Sequence, residues 1–361
     1  MKKIIVAAGG TGGHLYPAIA VVETLVSKFG NDIDILFIGS KDKIEGRVVP
    51  ALGYRFQHLD IEGLRSIFSL STLMLPFKIL AAQSKMSSII LKEKPNVVLC
   101  AGAYVSYPVG IAASKHKVPL FLLESNVQPG KANRLLSKKA TKIFTSFADS
   151  QHYFPSSNEK CMLVGNPVRT SFSNQVASQH AFRMFGLESS KKTILIFGGS
   201  LGAKSINTAV VEQLLPIVEE NQLQLLWQTG ANFTIPTTLP KGVVALPYIN
   251  DMSAAYSIAS LVVCRAGATS LAELALVKKP AILIPYPFAA HNHQFTNAKT
   301  FSDKNAAILL EDSAIPTTFQ KVIVDLVNDE KQLLEFSQNI AQFARPNAAN
   351  DVVEVLGNYF K

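Results

Sequence analysis

An α/β fold made of two doubly wound parallel-sheet domains is predicted by three features of the 361-residue sequence. Short β-branched runs alternate with longer amphipathic segments, the pattern of βαβ units whose strands are covered on both faces. The alternation then restarts. Lys2-Lys3, an apolar run and Gly9-Gly10-Thr11-Gly12-Gly13 have a counterpart in Lys191-Lys192, a second apolar run and Gly198-Gly199-Ser200-Leu201-Gly202. The length suits two domains at about 100–200 residues each.

Taken in order, the first set of predicted strands is Lys3–Ala8, Ile33–Ile38, Val97–Cys100, Leu120–Leu123, Lys142–Thr145 and Met162–Val164. The second set is Thr193–Phe197, Gln224–Gln228, Val243–Leu246, Leu261–Cys264, Ala281–Ile284 and Ala307–Leu310. Helices are expected between them at Pro17–Phe29, Leu80–Lys94, Ile206–Glu220 and Thr269–Val277. Gly165-Asn166-Pro167-Val168-Arg169 reads as the start of a linker, because Pro167 confines Asn166 to extended geometry. The expected domains are therefore 1–165 and 166–345. Pro346 breaks the last helical region and leaves Asn350–Phe360 as a terminal helix, so that 346–361 packs back on the first domain.

Composition narrows the class. With 48% hydrophobic and 17% charged residues the chain has ample material for cores, which excludes wholesale disorder. Cys100, Cys161 and Cys264 are far apart and odd in number, so neither a disulfide framework nor a zinc finger is expected, and a reducing cytoplasm fits. The apolar run after Lys3 is about five residues, short of the roughly 7–15 of a secretory signal. Two uncharged stretches, Asn96–Ser114 and Pro280–Ala298, contain proline and clustered polar residues, unlike a spanning helix of about 20 apolar residues. The formal net charge of +9 favours anionic partners, whether nucleic acid, phosphorylated metabolites or a membrane surface, unless it serves solubility alone. The dispersal of the basic residues and the lack of an aromatic-basic motif argue against nucleic acid.

Three glycine-containing turns are candidates for chemistry. Gly9-Gly10-Thr11-Gly12-Gly13-His14 stands where a strand gives way to a helix, where close backbone approach and the helix dipole favour an anion. Leu15 occupies the third small-residue position of the dinucleotide fingerprint, so hydride transfer loses weight. Gly198–Ser205 nearly matches a P-loop, but Ala203 replaces its last glycine and no Walker B aspartate follows Val263-Cys264-Arg265, which leaves phosphate binding without NTPase chemistry. In Cys264–Glu273, Gly267 makes a turn and Thr269 or Ser270 is placed to cap the next helix. A diphosphate on that helix end puts Glu273, about one turn on, within reach of a ribose diol; the alternative is a helix-cap carboxylate. His14 directly follows the first loop and suits proton abstraction from a hydroxyl.

Other motifs carry less. His291 and His293 look like a metal pair without a third ligand, and Asp32-Ile33-Asp34 reads as sheet-edge polarity. The apolar run Leu64–Leu80, flanked by Arg65, Lys78 and Lys85, is either buried core or a surface that docks on anionic lipid.

Gly9–His14, Gly102–Pro108, Glu124-Ser125-Asn126, Gly165–Arg169, Gly198–Ala203, Tyr248–Met252, Cys264–Glu273 and Gln294 together resemble the MurG family, peripheral membrane glycosyltransferases that make lipid II for bacterial peptidoglycan. The likeness spans essentially the whole chain. It implies a GT-B fold, two Rossmann-like domains facing across a cleft, and inverting, metal-independent transfer without a cofactor. The donor, UDP-N-acetylglucosamine (UDP-GlcNAc), is then held mainly by the second domain. The resemblance gives Ile249 a backbone contact to uracil, Glu273 the ribose, Ser200 and Ala268, Thr269 and Ser270 the phosphates, and Gln294 the sugar. Asn126, Arg169, Thr11, Gly12 and Gly13 match positions near the donor. His14 becomes the general base. Lipid I, the acceptor, falls to the first domain, with its diphosphate on Gly9–Gly13, its lipid toward Leu73–Leu80, and Gly10, Tyr104, Ser106 and Glu124 as contacts.

The implied location is the cytoplasmic face of the bacterial plasma membrane, with an anionic membrane surface and cell-wall synthesis proteins as partners and no nucleic acid. Two departures fall on the acceptor side: the family's His-Glu-Gln-Asn is Leu123-Glu124-Ser125-Asn126 here, and a usual glycine before Tyr104 is Ala103. Competing readings are a related GT-B enzyme acting on another glycolipid, a UDP-GlcNAc epimerase, and a non-catalytic nucleotide-sugar-binding scaffold.

Overall fold

The computed structural model describes residues 1–59, 75–169, 172 and 178–360. The chain divides into two compact units, Met1–Arg169 with Arg345–Lys361, and Thr170–Ala344. Charge divides with it. The whole positive excess lies in the first unit, while the second carries 12 Lys+Arg against 13 Asp+Glu.

Unit 1 is a seven-stranded sheet in the order β3-β2-β1-β4-β5-β6-β7, every neighbouring pair parallel. Its strands are β1 (Lys2–Ala7), β2 (Ile33–Gly39), β3 (Arg55–His58), β4 (Val97–Cys100), β5 (Leu120–Glu124), β6 (Lys142–Thr145) and β7 (Cys161–Leu163). The described helices of the crossovers are α1 (Gly12–Phe29), α2 (Ile44–Ala51), α3 (Leu75–Glu93), α4 (Ala103–Lys115) and α5 (Lys131–Leu136). The inner strands are apolar on both faces because helices cover both: Ile4 and Val6 face one core with Leu15, Ile19 and Val22, and Ile5 and Ala7 face the other with Met86, Val105 and Val109. The last helix of the chain joins the first of these cores through Val352, Val353 and Leu356, with Phe360 edge-on to Phe29 and Tyr359 edge-on to Phe121.

Unit 2 repeats the plan in six parallel strands, order β10-β9-β8-β11-β12-β13. They are β8 (Lys192–Phe197), β9 (Leu223–Gln228), β10 (Val243–Leu246), β11 (Leu261–Cys264), β12 (Ala281–Leu283) and β13 (Ile308–Leu309). Its helices are α6 (Ser178–Phe185), α7 (Lys204–Ala209), α8 (Met252–Ile258), α9 (Ala268–Val277), α10 (His293–Ser302), α11 (Ile315–Asn328) and α12 (Glu330–Ala341), and α13 (Ala348–Gly357) is the helix that returns to unit 1. In both sheets the winding direction reverses beside the first strand, between β1 and β4 and between β8 and β11. Ligands of open α/β sheets bind outside the carboxyl ends of the strands at such a point. The glycine-rich loops after β1 and β8 lie there.

Differences from the expected elements have local causes. The first helix begins at Gly12, not Pro17, since Thr11 is the extended N-cap and a proline within the helix removes only the amide that Gly13's carbonyl would have used. Expected helix 206–220 is α-helical only to Ala209 and continues as a π turn, Val210–Leu214, and a 3₁₀ turn, Leu215–Ile217; Pro216 breaks the regular ladder. Edge strand β3 carries no apolar run. It is held by Arg55, whose guanidinium donates to Asp34 at 2.7 and 2.8 Å and to Glu93 at 2.7 Å. Asn96–Ser114 and Pro280–Ala298 resolve into strand–turn–helix units, and no helix among the described residues is long and apolar enough to cross a membrane. Most of the apolar run 64–80 lies outside the described residues.

Candidate active site

In unit 1 the sequence-predicted residues gather along the carboxyl edge of the sheet, on the loops after β1, β4 and β5. Gly12, Gly13 and His14 form the first turn of α1, whose N-terminal amides of Gly12 and Gly13 have no intrahelical carbonyl to reach. The half-buried His14 imidazole lies 3.4 Å from the Thr11 hydroxyl through Nδ1. Its other edge rests on Gly102, where an added Cβ would stand 2.8 Å from Cδ2 and 3.0 Å from Nε2. Gly102 also has φ +96, so both its backbone and its bareness shape the seat of the ring.

Ala103 follows at φ +62, left-handed without being glycine. A glycine at this position adopts that geometry without a Cβ penalty. Ala103→Gly is expected to stabilise the unit by about 0.5–1 kcal/mol, because relief of about 1–2 kcal/mol of left-handed strain outweighs the added freedom of the unfolded chain. Thermal unfolding checks it.

Three of the expected acceptor contacts already have partners within the protein. Gly10 is exposed, but its amide donates to Glu45 Oε2 at 3.0 Å and so is not offered to a ligand. Ser106 is fully buried, with its hydroxyl donating to the carbonyls of Gly102 and Ala7, behind the Gly102 seat of His14. Glu124 is 2% exposed and both its oxygens are engaged: Oε1 by Asn126 N at 3.0 Å and Nδ2 at 3.4 Å, Oε2 by Gly130 N at 3.0 Å and Asn133 Nδ2 at 2.9 Å. Burial raises its pKa, and those donors offset part of the rise. Glu124 thus shapes the loop that presents Asn126. Tyr104, by contrast, is 55% exposed, and the Arg169 guanidinium stacks on the Tyr16 ring at 4.9 Å.

In unit 2, Ser200 is exposed on the loop after β8 and Gly202 packs so tightly that a Cβ would stand 2.0 Å from the Thr229 carbonyl oxygen. The N-cap of α9 is Gly267, in extended geometry, and not Thr269 or Ser270, which sit with Ala268 in the first helical turn. Among the described residues, nothing beyond its own neighbours and helix lies within 4 Å of a Cβ added at Gly267, so the missing side chain leaves open space there. Ile249 is 2% exposed and its amide donates to Gln228 Oε1 at 2.9 Å. Gln228 Nε2 in turn donates to the Gly199 carbonyl at 3.0 Å, tying that loop to the Tyr248–Asn250 turn. Glu273 accepts from the Tyr256 hydroxyl at 3.1 Å, and Gln294 Oε1 accepts from Tyr286 N at 2.9 Å. Burial pushes the Tyr256 phenol and the Cys264 thiol well up, and the nearby Glu273 carboxylate adds to both.

Behind these groups, buried Arg265 bridges the Pro285 carbonyl (3.0 Å), Ser205 Oγ (2.8 Å) and Asp312, fixing the strand ends from below. His293 Nδ1 lies 2.8 Å from the Ala290 carbonyl, and no group of three metal-ligating side chains occurs among the described residues.

Residues 4–145 match the glycosyltransferase family 28 N-terminal domain and residues 193–352 its C-terminal domain. A Flavobacterium psychrophilum protein named UDP-N-acetylglucosamine--N-acetylmuramyl-(pentapeptide) pyrophosphoryl-undecaprenol N-acetylglucosamine transferase is 40% identical over 356 residues, spanning 98% of this chain and 96% of its own. The chain belongs to the MurG family. The crystal structure of Acinetobacter baumannii MurG is 28% identical and superposes with a TM-score of 0.75, covering 99% of this chain and 100% of that one. A Neisseria meningitidis UDP-GlcNAc 2-epimerase, 16% identical with a TM-score of 0.66 over 99% of this chain and 100% of its own, shares the fold alone.

Sequence reasoning missed Glu45, Gln228, Tyr16 and Tyr256. The first two are polar residues in otherwise ordinary helix and strand ends, and only their depth reveals them: Glu45 is 1% and Gln228 4% exposed. Tyr16 and Tyr256 lie within helices and carry no sequence motif that sets them apart.

Proposed function

We propose that this chain is an inverting glycosyltransferase that moves N-acetylglucosamine from UDP-GlcNAc to the 4-hydroxyl of the N-acetylmuramyl group of lipid I, forming lipid II. What carries the reading is the 40% identity over 98% of the chain to a protein whose name states this transfer. Unit 2 takes the donor. The open N-terminus of α9 receives the diphosphate together with Ser200, Ile249 meets uracil through its carbonyl, Glu273 the ribose, and the Gln294 carboxamide NH₂ the sugar. Unit 1 takes the acceptor, with its diphosphate on the first turn of α1 beside Thr11, Gly12 and Gly13. Asn126 and Arg169 supply polar and cationic contacts near the donor.

His14 takes the proton of the attacking 4-hydroxyl. The oxygen bonds to the anomeric carbon on the face opposite the diphosphate, the anomeric C–O bond breaks, and UDP leaves with the electron pair. Inversion yields the β-1,4 link. The charge growing on the leaving diphosphate is met by backbone amides, the α9 dipole and Arg169, groups already in place before reaction. No divalent cation is called for in this scheme.

The test is transfer of labelled N-acetylglucosamine to a lipid I analogue with EDTA present. Label in the glycolipid, undiminished by chelation, is expected. UDP release that is indifferent to lipid I would point to another acceptor, and donor binding without release to a scaffold.

Membrane association at the cytoplasmic face, alongside cell-wall synthesis proteins, belongs to the same reading. Its support is the concentration of positive charge in unit 1 and the exposure of Leu80 (62%) and Leu91 (60%) on α3. The protein is expected to co-sediment with vesicles containing anionic lipid and to be released as salt rises. Equal binding to zwitterionic vesicles would remove charge from the explanation.

A further inference from the structure

A carboxylate that meets a ribose diol selects it only if its plane is fixed. Glu273 is 8% exposed on α9, and it is reached from α8 by the hydroxyl of Tyr256, which is fully buried. The Tyr256 ring is itself held on two sides: edge-on to Phe197 with centroids 6.1 Å apart, and tilted against Phe172 at 5.9 Å. Phe197 is the last residue of β8, directly before the glycine-rich loop. The hydroxyl therefore projects from a ring without room to swing, and its donor is committed to Glu273 Oε2. A buried carboxylate that loses a donor bears a desolvation cost and relaxes toward other partners.

We infer that Tyr256 is a positioning residue that makes the donor site specific for ribonucleotides: by holding Oε2 it sets the Glu273 carboxylate square to a vicinal 2′,3′-diol. The inference rests on the reading that Glu273 meets the ribose. Its chemical consequence is that a donor lacking the 2′-hydroxyl leaves part of the carboxylate's hydrogen-bonding capacity unused in the wild type. In a protein lacking the tyrosine hydroxyl, the carboxylate turns and the two donors become harder to tell apart. Phenylalanine keeps the ring and its packing against Phe197 and Phe172, so Tyr256→Phe isolates the hydroxyl.

The experiment compares wild type, Tyr256→Phe and Glu273→Gln with UDP-GlcNAc and its 2′-deoxyribose analogue, in turnover and in calorimetry with UDP and 2′-deoxy-UDP. Tyr256→Phe is expected to raise the KM for UDP-GlcNAc about 5–10-fold, the worth of one hydrogen bond, with kcat within about twofold of wild type. Its preference for the ribonucleotide should fall toward that of Glu273→Gln in both measurements. A Tyr256→Phe protein that keeps the wild-type preference while Glu273→Gln loses it overturns the role given to Tyr256 and leaves the ribose contact standing. If Glu273→Gln itself keeps the wild-type preference, the ribose reading fails and the inference with it.

Discussion

Replacing His14 with alanine is expected to lower kcat by about 10²–10⁴-fold, the usual worth of a positioned general base, while the KM for UDP-GlcNAc stays within about twofold. The separation of the two parameters follows from the fold. His14 is in the first turn of α1 in unit 1, whereas the donor contacts assigned here are mostly on unit 2. Gly102 extends the prediction, because the imidazole rests where its Cβ would be. Gly102→Ala should reproduce part of the kcat loss without touching the base itself, by displacing the ring. Steady-state kinetics at saturating lipid I analogue check both. A His14→Ala protein with near-normal kcat would assign the proton transfer to another group.

The second large effect is expected at Glu45. This carboxylate, on α2, accepts the Gly10 amide at 3.0 Å and the Ser40 amide at 2.9 Å, clamping the loops after β1 and β2 together. Its space is made by two glycines: a Cβ at Gly9 would lie 2.1 Å from Oε1 and one at Gly39 2.5 Å from Cγ. Glutamine has nearly the same shape but only one acceptor oxygen, so whichever way it turns, its NH₂ confronts one of the two amide donors. A charge-assisted hydrogen bond is worth about 1.5–3 kcal/mol, and each kcal/mol shifts Tm by about 2–4 °C in a unit of this size. Glu45→Gln should therefore lose several degrees of Tm. With the loop that carries Thr11–His14 released, kcat should fall by about 10-fold or more, as catalysis is sensitive to misplacement on the scale of 1 Å. Calorimetry with UDP should show a smaller change than kcat, because most of the donor contacts assigned above lie on unit 2. A Tm loss with kcat intact would confine Glu45 to stability.

Much of the fold was legible because its strands are buried on both faces. Val97–Cys100 and Leu261–Cys264 are pure apolar runs between turns, and their bounds match the expectation residue for residue. Arg55–His58 was not legible: as an edge strand it is anchored by ion pairs, and a polar edge reads as loop. Helix 103–115 was hidden by a start at two successive left-handed residues, which no helix signal anticipates.

Within the candidate site, glycine spacing marked the loops after β1 and β8 but not which of their amides are already spent. That depends on side chains 30 or more positions distant, such as Glu45 to Gly10 at a separation of 35, which no local pattern encodes. Ser106 and Glu124 differ: most of their partners are near in sequence, within nine positions, and it is their depth that the sequence does not encode. Their positions in a motif mark them, and the structure adds that both are buried with their polar atoms engaged.

The most direct measurement is the crystal structure of the protein soaked with UDP-GlcNAc and without added divalent cation. The expected result is a diphosphate on the first-turn amides of α9, at Ala268–Ser270, with the ribose hydroxyls on Glu273. Donor density seated instead on the Gly9–Gly13 loop, or a unit 2 that stays empty at saturating concentration, would contradict the assignment of the donor to that helix end.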